Sequence, residues 1–229
     1  MISVIIPTLN AEATLASTLA SLVPAAVDGV VRQVIVADGG STDRTLEIAD
    51  AAGADIVQGA AGRGRQLARG AKAARSAWLL FLHADTVLEP GWHTEAAAFM
   101  DGIETDHRPV SAAAFRFTLD DAGMAPRLIE AGVWLRCALA RLPYGDQGLL
   151  LPARLYREIG GFRPMPIMED VDIVRRLGWR RLTMLSSRAV TSASRYRRDG
   201  YGRRTARNLS CLALYALRVP PDTIARLYR

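Results

Sequence analysis

The chain has 229 residues, half of them hydrophobic, a length that suits one domain with a full core. Its two cysteines, Cys137 and Cys211, lie far apart without metal-ligand spacing, which argues against a disulfide framework and a structural zinc site. The net charge of +6 is concentrated in residues 194–229, which hold nine arginines against two aspartates. Because no zinc-finger, helix-turn-helix or ribonucleoprotein signature accompanies this charge, we expect no nucleic-acid partner.

The sequence carries no recognisable targeting segment. Met1 leads directly into a strand-like run without a basic region or a small-residue cleavage site, so we expect no secretory signal. No apolar stretch reaches the roughly 20 residues of a membrane-spanning helix. With the cysteine usage, these features predict a cytoplasmic location.

The first half of the chain alternates short apolar runs with helical patterns. Runs this continuous and β-branched are typical of strands buried on both faces of a parallel sheet. Strands are predicted at 3–6, 34–37, 55–57 and 78–82, and helices at 12–22, 45–52 and 66–75. The pattern predicts the α/β class, with a Rossmann-like nucleotide-binding sheet and helices on both of its faces.

The second half is less regular. Strands are predicted at 110–119, 147–151 and 183–185, and helices at 126–142, 153–159, 169–177 and 204–217. Without repeats or low-complexity linkers, we expect a single domain over residues 1–229, with a nucleotide half at 1–105 and an acceptor half at 106–229. His93 and His107 are predicted to be surface residues.

Polar residues follow three of the predicted strands, and in open α/β sheets ligands bind beyond the carboxyl ends of the strands. These residues are Asn10, Asp38, Asp43, His83 and Asp85. The carboxylate of Asp38 can accept hydrogen bonds from a base or ribose, although a turn and helix cap would also explain the segment 38–43. The segment 62–65 offers backbone N–H groups and the guanidinium groups of Arg63 and Arg65 to a phosphate or base.

The segment His83-Ala84-Asp85 places polar groups directly after five apolar residues. Burying such groups costs free energy unless they pair with a ligand or another group. Carboxylate and imidazole groups suit Mn²⁺ or Mg²⁺ that bridges a diphosphate. The alternative is that Asp85 and Thr86 only cap a turn.

Two further polar clusters lie in the second half. Glu169, Asp170 and Asp172 begin a predicted helix, whose dipole alone would stabilise acids there. The apolar lead-in at 164–168 suggests a partly desolvated acid, and so a general base. The segment 144–148, which contains Asp146 and Gln147, is either functional or turn-forming.

The C-terminal helix carries apolar residues at helical spacing between arginines. These are Leu209, Leu212, Ala213, Ala216 and Leu217, flanked by Arg203, Arg204, Arg207 and Arg218. Such a helix either makes a peripheral contact with an anionic membrane or packs on the core with a solvated basic edge.

Together these segments resemble the family 2 glycosyltransferases, which have the GT-A fold. The resemblance rests on the opening Val4-Ile5-Ile6-Pro7-Thr8-Leu9-Asn10 with Glu12, the segment from Asp38 to Asp43, the acidic motif after the fourth strand, and Glu169-Asp170. It implies inverting transfer from a nucleotide-diphosphate sugar to an acceptor hydroxyl, with a divalent cation, Mn²⁺ or Mg²⁺, at the acidic motif. Carried over to this chain, Asp85 would bind the metal and Asp170 would be the general base, with Glu169 beside it in the catalytic pair.

The resemblance places Pro7, Thr8, Glu12, Asp38 and Arg63 along the nucleotide. The full set that we predict to bind the donor and its cation is Pro7, Thr8, Asn10, Glu12, Asp38, Arg63, Arg65, His83, Ala84, Asp85, Asp146 and Gln147.

The chain departs from the family at one point. The Asp-x-Asp motif here is His83-Ala84-Asp85, so the first carboxylate is missing and His83 could contact the ribose or diphosphate instead. The segments 82–86 and 144–148 together resemble a short bacterial branch of the family, named for arsenosugar biosynthesis.

Two other functions are compatible with a nucleotide-binding sheet. One is a nucleotidyltransferase, although such enzymes open with a Gly-rich basic loop after the first strand, and Pro7-Thr8-Leu9-Asn10 lacks it. The other is a non-catalytic module that binds a nucleotide sugar and uses its basic tail as a membrane or partner contact.

Overall fold

The computed structural model describes residues 1–105, 109–140 and 142–228. The predicted surface residue His107 lies outside these ranges. Within them the strands are β1 (Ile2–Thr8), β2 (Val31–Asp38), β3 (Asp55–Gln58), β4 (Trp78–Phe81), β5 (Thr86–Leu88), β6 (Ala112–Leu119), β7 (Leu149–Pro152) and β8 (Leu182–Thr191). The helices of the same residues are α1 (Glu12–Ala20), α2 (Val23–Val27), α3 (Thr45–Ala51), α4 (Arg63–Ala73), α5 (Trp92–Glu104), α6 (Met124–Ala140), α7 (Ala153–Glu158), α8 (Glu169–Leu177), α9 (Ser194–Asp199), α10 (Tyr201–Ala216) and α11 (Pro221–Tyr228).

The strands form one mixed sheet in the order β3-β2-β1-β4-β7-β6-β8-β5. The first four in this order pair in parallel, which confirms the predicted α/β class. Residues of β1 alternate between two cores: Ile2, Val4 and Ile6 pack on one face, and Ile5 packs on the other. Parallel pairing brings the carboxyl ends of β1, β2 and β4 to the same edge of the sheet.

The other half of the sheet mixes directions. β7 is antiparallel to both β4 and β6, β8 is parallel to β6, and β5 is antiparallel to β8. β8 continues from the predicted segment 183–185 to Thr191, with buried and exposed residues alternating along most of its length. This extension brings the end of β8 beside the residues that follow β4.

Several predicted boundaries are wrong. The helix predicted at 12–22 ends at Ala20 as α1, and a separate helix α2 follows it, with Pro24 in its first turn, where the missing N–H costs nothing. The helix predicted from Gln66 begins at Arg63, so residues 63–65 belong to the first turn of α4. Gln147 lies in a single 3₁₀ turn before β7 and not in the strand itself.

The sequence analysis also missed whole elements. β5 has three residues, too few for a recognisable alternation. α5 was identifiable, since its buried residues Trp92, Ala96, Met100 and Ile103 recur at helical spacing. α9 and α11 were missed as well.

The helix predicted at 204–217 is α10, and it packs on the body of the protein through Cys211, which joins Met168, Val171 and Ile224 in a small cluster. Leu209 remains exposed on its outer side. None of the helices in the described part of the chain has the length and apolar character needed to cross a bilayer.

Candidate active site

Two loops lie side by side at the carboxyl edge of the sheet, and hydrogen bonds between side chains and backbone N–H groups connect them. The loop after β1 contains Asn10, whose Oδ1 accepts a hydrogen bond from the Thr42 N–H at 2.9 Å. The carboxylate of Glu12 accepts from the Arg44 N–H at 2.8 Å, and the Glu12 N–H donates to Asp43 at 3.1 Å. Asn10 and Glu12, which we predicted to contact the donor, therefore join this loop pair, residues 9–12 and 38–45.

The Asp38 carboxylate at the end of β2 is fully buried. It accepts hydrogen bonds from the Thr8 hydroxyl at 2.9 Å and from the Gly40 and Ser41 N–H groups at 2.7 and 2.9 Å. Burial works to raise the pKa of Asp38, but the hydrogen bonds from Ser41, Gly40 and Thr8 outweigh it and lower the pKa. These hydrogen bonds show that the Asp38 carboxylate orders the loop, while its predicted contact with a base or ribose stays a prediction. The Thr8 hydroxyl is occupied by the same contact, while Pro7 is half-buried beside it.

The segment Gly62-Arg63-Gly64-Arg65 is not a separate loop before the helix, because its last three residues form the first turn of α4. The Gly62 N–H donates to the side chain of Gln66, and Arg65 is exposed on α4. A Cβ on Gly64 would lie 2.2 Å from the carbonyl oxygen of Arg163, so only glycine permits this approach between α4 and the segment before α8. The close approach brings Arg63 to Glu169.

Four carboxylates act electrostatically on Arg63, and we call them the acidic cluster: Asp85, Asp146, Glu169 and Asp170. The nearest is Glu169, whose Oε1 lies 3.4 Å from Arg63 Nη1. Burial works to lower the pKa of Arg63, but the charges of the four carboxylates outweigh it and raise the pKa. The charges of these residues therefore interact, although Arg63 and Asp170 are 107 positions apart in the sequence.

His83, which replaces the first carboxylate of the family motif, pairs within the protein. Its Nδ1 lies 2.8 Å from Asp146 Oδ1. Burial works to raise the pKa of Asp146, but the hydrogen bond and charge of His83, followed by the charges of Arg63 and Arg195, outweigh it and lower the pKa. Asp146 is therefore ionised at neutral pH. The carbonyl oxygen of Ala84 accepts from the Thr18 hydroxyl at 3.0 Å, which fixes the segment between His83 and Asp85.

Asp85 faces a residue that the sequence analysis counted only as part of the basic tail. Its Oδ2 lies 3.6 Å from Arg195 Nη2 on α9. The backbone oxygen of Asp85 accepts from the Ser192 N–H at 3.0 Å, which ties the end of β8 to this loop. The two residues are 110 positions apart, and β8 was predicted too short to bring them together, so no local pattern indicated the pair.

At the start of α8 the two adjacent acids point to different places. Consecutive helical residues are rotated by about 100°, so only one can face the site entrance. The side chain of Glu169 is 2% exposed, and its burial raises its pKa despite the charge of Arg63. Asp170 instead lines a pocket, and its Oδ1 accepts from the Val171 N–H at 2.8 Å. Met168 precedes them in the left-handed conformation, with φ of 67°.

The pocket that Asp170 lines is mostly apolar, with a few polar residues among its lining. Its polar members include His83 and Tyr144, and the Arg136 guanidinium lies over the Tyr144 ring at 3.8 Å from its centroid. Its apolar lining is formed by Leu67, Phe81, Pro143, Leu149, Phe162, Ile173 and Val174, with Gly148 between them. The acid thus lies at the boundary between the acidic cluster and an apolar wall.

Two polar residues from the sequence predictions have structural partners. The Gln147 side chain is buried, donates to the Phe115 carbonyl at 3.0 Å and accepts from Arg136 at 3.2 Å, and its predicted contact with the sugar donor stays a prediction. Asp172 is buried and pairs with Arg163 at 3.1 Å and Arg176 at 2.6 Å. Its ion pairs remove Asp172 as an alternative base.

The predicted cation site has one suitable ligand. In the part of the chain that the structure describes, no group of three or more His, Cys, Asp or Glu side chains is arranged to hold a metal ion. Mg²⁺ is commonly bound through one or two carboxylates together with substrate phosphates. The Asp85 carboxylate therefore fits a cation that also takes oxygen ligands from a bound diphosphate.

Comparisons with known proteins agree with this geometry. Residues 3–120 match the family described as Glycosyl transferase family 2. The chain is 35% identical over 129 residues to a PGL/p-HBAD biosynthesis glycosyltransferase of Mycobacterium tuberculosis, covering 48% of this chain and 43% of that one. It is 52% identical over 56 residues to the glucosyl-3-phosphoglycerate synthase of the same species, covering 24% of this chain and 17% of that one. The aligned parts thus span less than half the length of these curated relatives.

Solved structures share the fold. The crystal structure of Staphylococcus aureus TarS aligns with a TM-score of 0.66 at 20% identity, over 85% of this chain and 37% of that one. Mycobacterium tuberculosis glucosyl-3-phosphoglycerate synthase, crystallised with Mn²⁺, UDP and glucosyl-3-phosphoglycerate, aligns with a TM-score of 0.58 at 25% identity, over 83% of this chain and 70% of that one.

Proposed function

The chain belongs to glycosyl transferase family 2, and from this premise we propose that it transfers a sugar from a nucleotide-diphosphate sugar to an acceptor hydroxyl, with inversion at the anomeric carbon. The observation that carries the proposal is the acidic cluster at the carboxyl edge of a GT-A sheet, with Asp170 lining the adjacent pocket. The mycobacterial relative crystallised with Mn²⁺ and UDP supports this choice of donor. Residues 1–105 would form the donor half and residues 106–229 the acceptor half.

Asp170 is the proposed general base. Its carboxylate would accept the proton of the acceptor hydroxyl while that oxygen attacks the anomeric carbon and the bond to the diphosphate breaks. Attack from the face opposite the leaving group inverts the configuration. Glu169 is unsuited to this role because it is buried against Arg63, and we propose that it positions Arg63.

The diphosphate leaves with negative charge, which the site can stabilise from two sides. Arg63 and Arg195 each offer a planar set of N–H donors that matches phosphate oxygens. A divalent cation held by Asp85 would supply further positive charge at the same oxygens. Preorganised charges of this kind are worth more in a partly desolvated site than in water.

Ligand-induced stabilisation tests the proposal first. A ligand that binds only the folded state stabilises it by about 2.7 kcal/mol at 100 times its Kd. We expect one nucleoside diphosphate and its sugar conjugate to raise the Tm, and Mn²⁺ to increase the shift. No shift with UDP, GDP, ADP, CDP or their sugar conjugates would contradict the proposal.

The fate of the bound donor separates the proposed function from its alternatives. Transfer to an acceptor, or slow hydrolysis of the sugar, should release a nucleoside diphosphate, and NMR of a transferred product should show the inverted anomer. A nucleotidyltransferase would release pyrophosphate from a nucleoside triphosphate instead. Binding without hydrolysis or transfer would favour the non-catalytic module.

Narrower predictions remain part of this proposal. The arsenosugar branch rests on the segments 82–86 and 144–148 alone, and the cytoplasmic location rests on the sequence. A peripheral membrane contact would use the outer side of α10, where Leu209 and Leu217 are exposed. Co-sedimentation with anionic liposomes tests that contact, because an absence of binding at low salt would leave only the packing role of α10.

A further inference from the structure

Arg195 is held at Asp85 by three connections between the end of β8 and its neighbours. The Thr86 and Thr191 hydroxyls lie 3.1 Å apart, and the Thr191 hydroxyl also donates to the Asp146 backbone oxygen at 3.1 Å. One residue further, the Ser192 N–H donates to the Asp85 backbone oxygen at 3.0 Å. Because α9 begins directly after this point, the fold itself directs Arg195 toward the Asp85 carboxylate.

The contact between Arg195 and Asp85 is an exchangeable one. Their nearest N and O atoms lie 3.6 Å apart, which is longer than a normal hydrogen bond. The Arg195 side chain is 52% exposed and the Asp85 side chain 18% exposed, so water and ions can reach the pair. Half-exposed ion pairs at this distance are weak and readily screened.

The surroundings favour an additional cation. The four carboxylates of the acidic cluster face two guanidinium groups, Arg63 and Arg195, and the imidazole of His83. The His83 imidazole already pairs with the Asp146 carboxylate, and the Arg63 guanidinium pairs with the Glu169 carboxylate. Asp85 therefore has Arg195 as its nearest positive charge among the described residues.

We propose that Arg195 and a divalent cation compete for the Asp85 carboxylate, so that Arg195 couples cation binding to binding of the donor diphosphate. When a cation occupies Asp85, the Arg195 guanidinium is released and turns its N–H donors to the phosphate oxygens. Without a cation it neutralises Asp85 and keeps the site from holding an unpaired charge. Arg195 is thus a positioning residue for the donor, and this inference rests on the proposed function.

The test measures Mn²⁺ binding to the full chain without nucleotide, by electron paramagnetic resonance of free Mn²⁺. Arg195→Gln should bind Mn²⁺ about 2- to 5-fold more tightly than wild type, because an exposed ion pair no longer competes. Arg198→Gln is the matched control, since Arg198 is 75% exposed on the same helix and pairs only with Asp199 among the described residues. It should bind Mn²⁺ as wild type does. Arg195→Met provides a second uncharged variant if Arg195→Gln folds poorly.

A second measurement follows the diphosphate. The probe is whichever of UDP, GDP, ADP or CDP gives the largest thermal shift, titrated by calorimetry with saturating Mn²⁺, the state in which Arg195 is free to reach the phosphate oxygens. Arg195→Gln should weaken its binding roughly 10- to 100-fold, the usual size for a lost charged hydrogen bond. In an Asp85→Asn background, Arg195→Gln should no longer change Mn²⁺ affinity, because the shared carboxylate is absent.

The outcomes separate this inference from the proposed function. Equal Mn²⁺ affinities for wild type, Arg195→Gln and Arg198→Gln would overturn the competition, as would a Mn²⁺ effect of Arg195→Gln that persists in Asp85→Asn. Unchanged diphosphate affinity in Arg195→Gln would overturn the coupling. If the wild-type chain binds none of the four nucleoside diphosphates, the proposed function fails as well.

Discussion

The loop pair and the acidic cluster are both rich in carboxylates, yet they use them differently. In the loop pair, Asp38 and Asp43 accept hydrogen bonds from nearby N–H and hydroxyl groups, and each has a lowered pKa as a net result. In the acidic cluster, the four carboxylates act on the shared Arg63 guanidinium, and burial raises the pKa of Glu169. Carboxylates whose acceptor positions are filled within their own loop fix the conformation of that loop. Carboxylates that share the Arg63 guanidinium can instead bind a ligand or accept a proton.

The largest effect should come from the acidic cluster. We expect Asp85→Ala to lower kcat/KM by at least about 10²-fold, the size seen when a preorganised charge is removed. It should also abolish the increase in nucleoside-diphosphate affinity that Mn²⁺ produces. Steady-state kinetics and calorimetry with and without Mn²⁺ measure both effects.

Asp43→Asn is the matched control in the loop pair, because Asp43 bonds Thr45 and Glu12 and lies outside the acidic cluster. It should lower stability while turnover of the folded protein stays near wild type.

Full transfer activity in excess chelator would contradict the role of Asp85.

An intermediate effect should follow from separating α4 and α8. Gly64→Ala places a Cβ 2.2 Å from a backbone oxygen, and we expect it to lower the free energy of unfolding by roughly 2–3 kcal/mol. It should also reduce activity, since Arg63 and Glu169 move apart. Urea denaturation measures the first effect and kinetics the second.

Gly132→Ala is the control for this helix-glycine substitution. Gly132 lies in α6 with nothing within 4 Å of an added Cβ, so alanine there should stabilise by about 0.5–1 kcal/mol. If the two variants changed stability by the same amount, the close approach at Gly64 would not be a packing constraint.

The smallest effect should arise in the loop pair. In Asp38→Asn one carboxylate oxygen becomes an NH₂ group, so either the N–H donors at Oδ2 or the hydroxyl donors at Oδ1 lose their acceptor. We expect a loss of roughly 1–2 kcal/mol in unfolding free energy at neutral pH. Because the folded state lowers the pKa of Asp38, its stabilisation is present above the unfolded pKa of about 3.9 and is lost as the pH falls through the folded value. The gap between wild type and Asp38→Asn should therefore narrow in acid. A gap that widened between pH 7 and pH 3 would contradict this assignment.

The sequence was most informative where local pattern decides structure. The β-branched runs at 3–6 and 34–37 predicted strands buried on both faces, and both are observed with longer ends. The helix predicted at 169–177 has the same bounds in the structure, because three acids begin it and Gly178 follows it.

The remaining features depend on partners that are distant in the chain. The acceptor positions of Asp38 are filled by N–H groups whose direction is set by the loop, so a motif alone could not show that the carboxylate is occupied. The contact between Asp85 and Arg195 required β8 to run six residues further than its predicted end of 185, before α9 begins. Residue types thus indicated where the site lies, and tertiary pairing decided which of its residues are available.

The division of roles between the two regions is tested most directly at Asp170. Asp170→Asn keeps size and polarity but removes the ability to accept a proton, so kcat should fall roughly 10²- to 10⁴-fold while donor Kd and Tm stay near wild type. Glu169→Gln, measured beside it, should impair turnover less. Near-normal turnover of Asp170→Asn with donor binding intact would contradict the account and place the base elsewhere, with Glu169 and Asp146 as the next residues to replace.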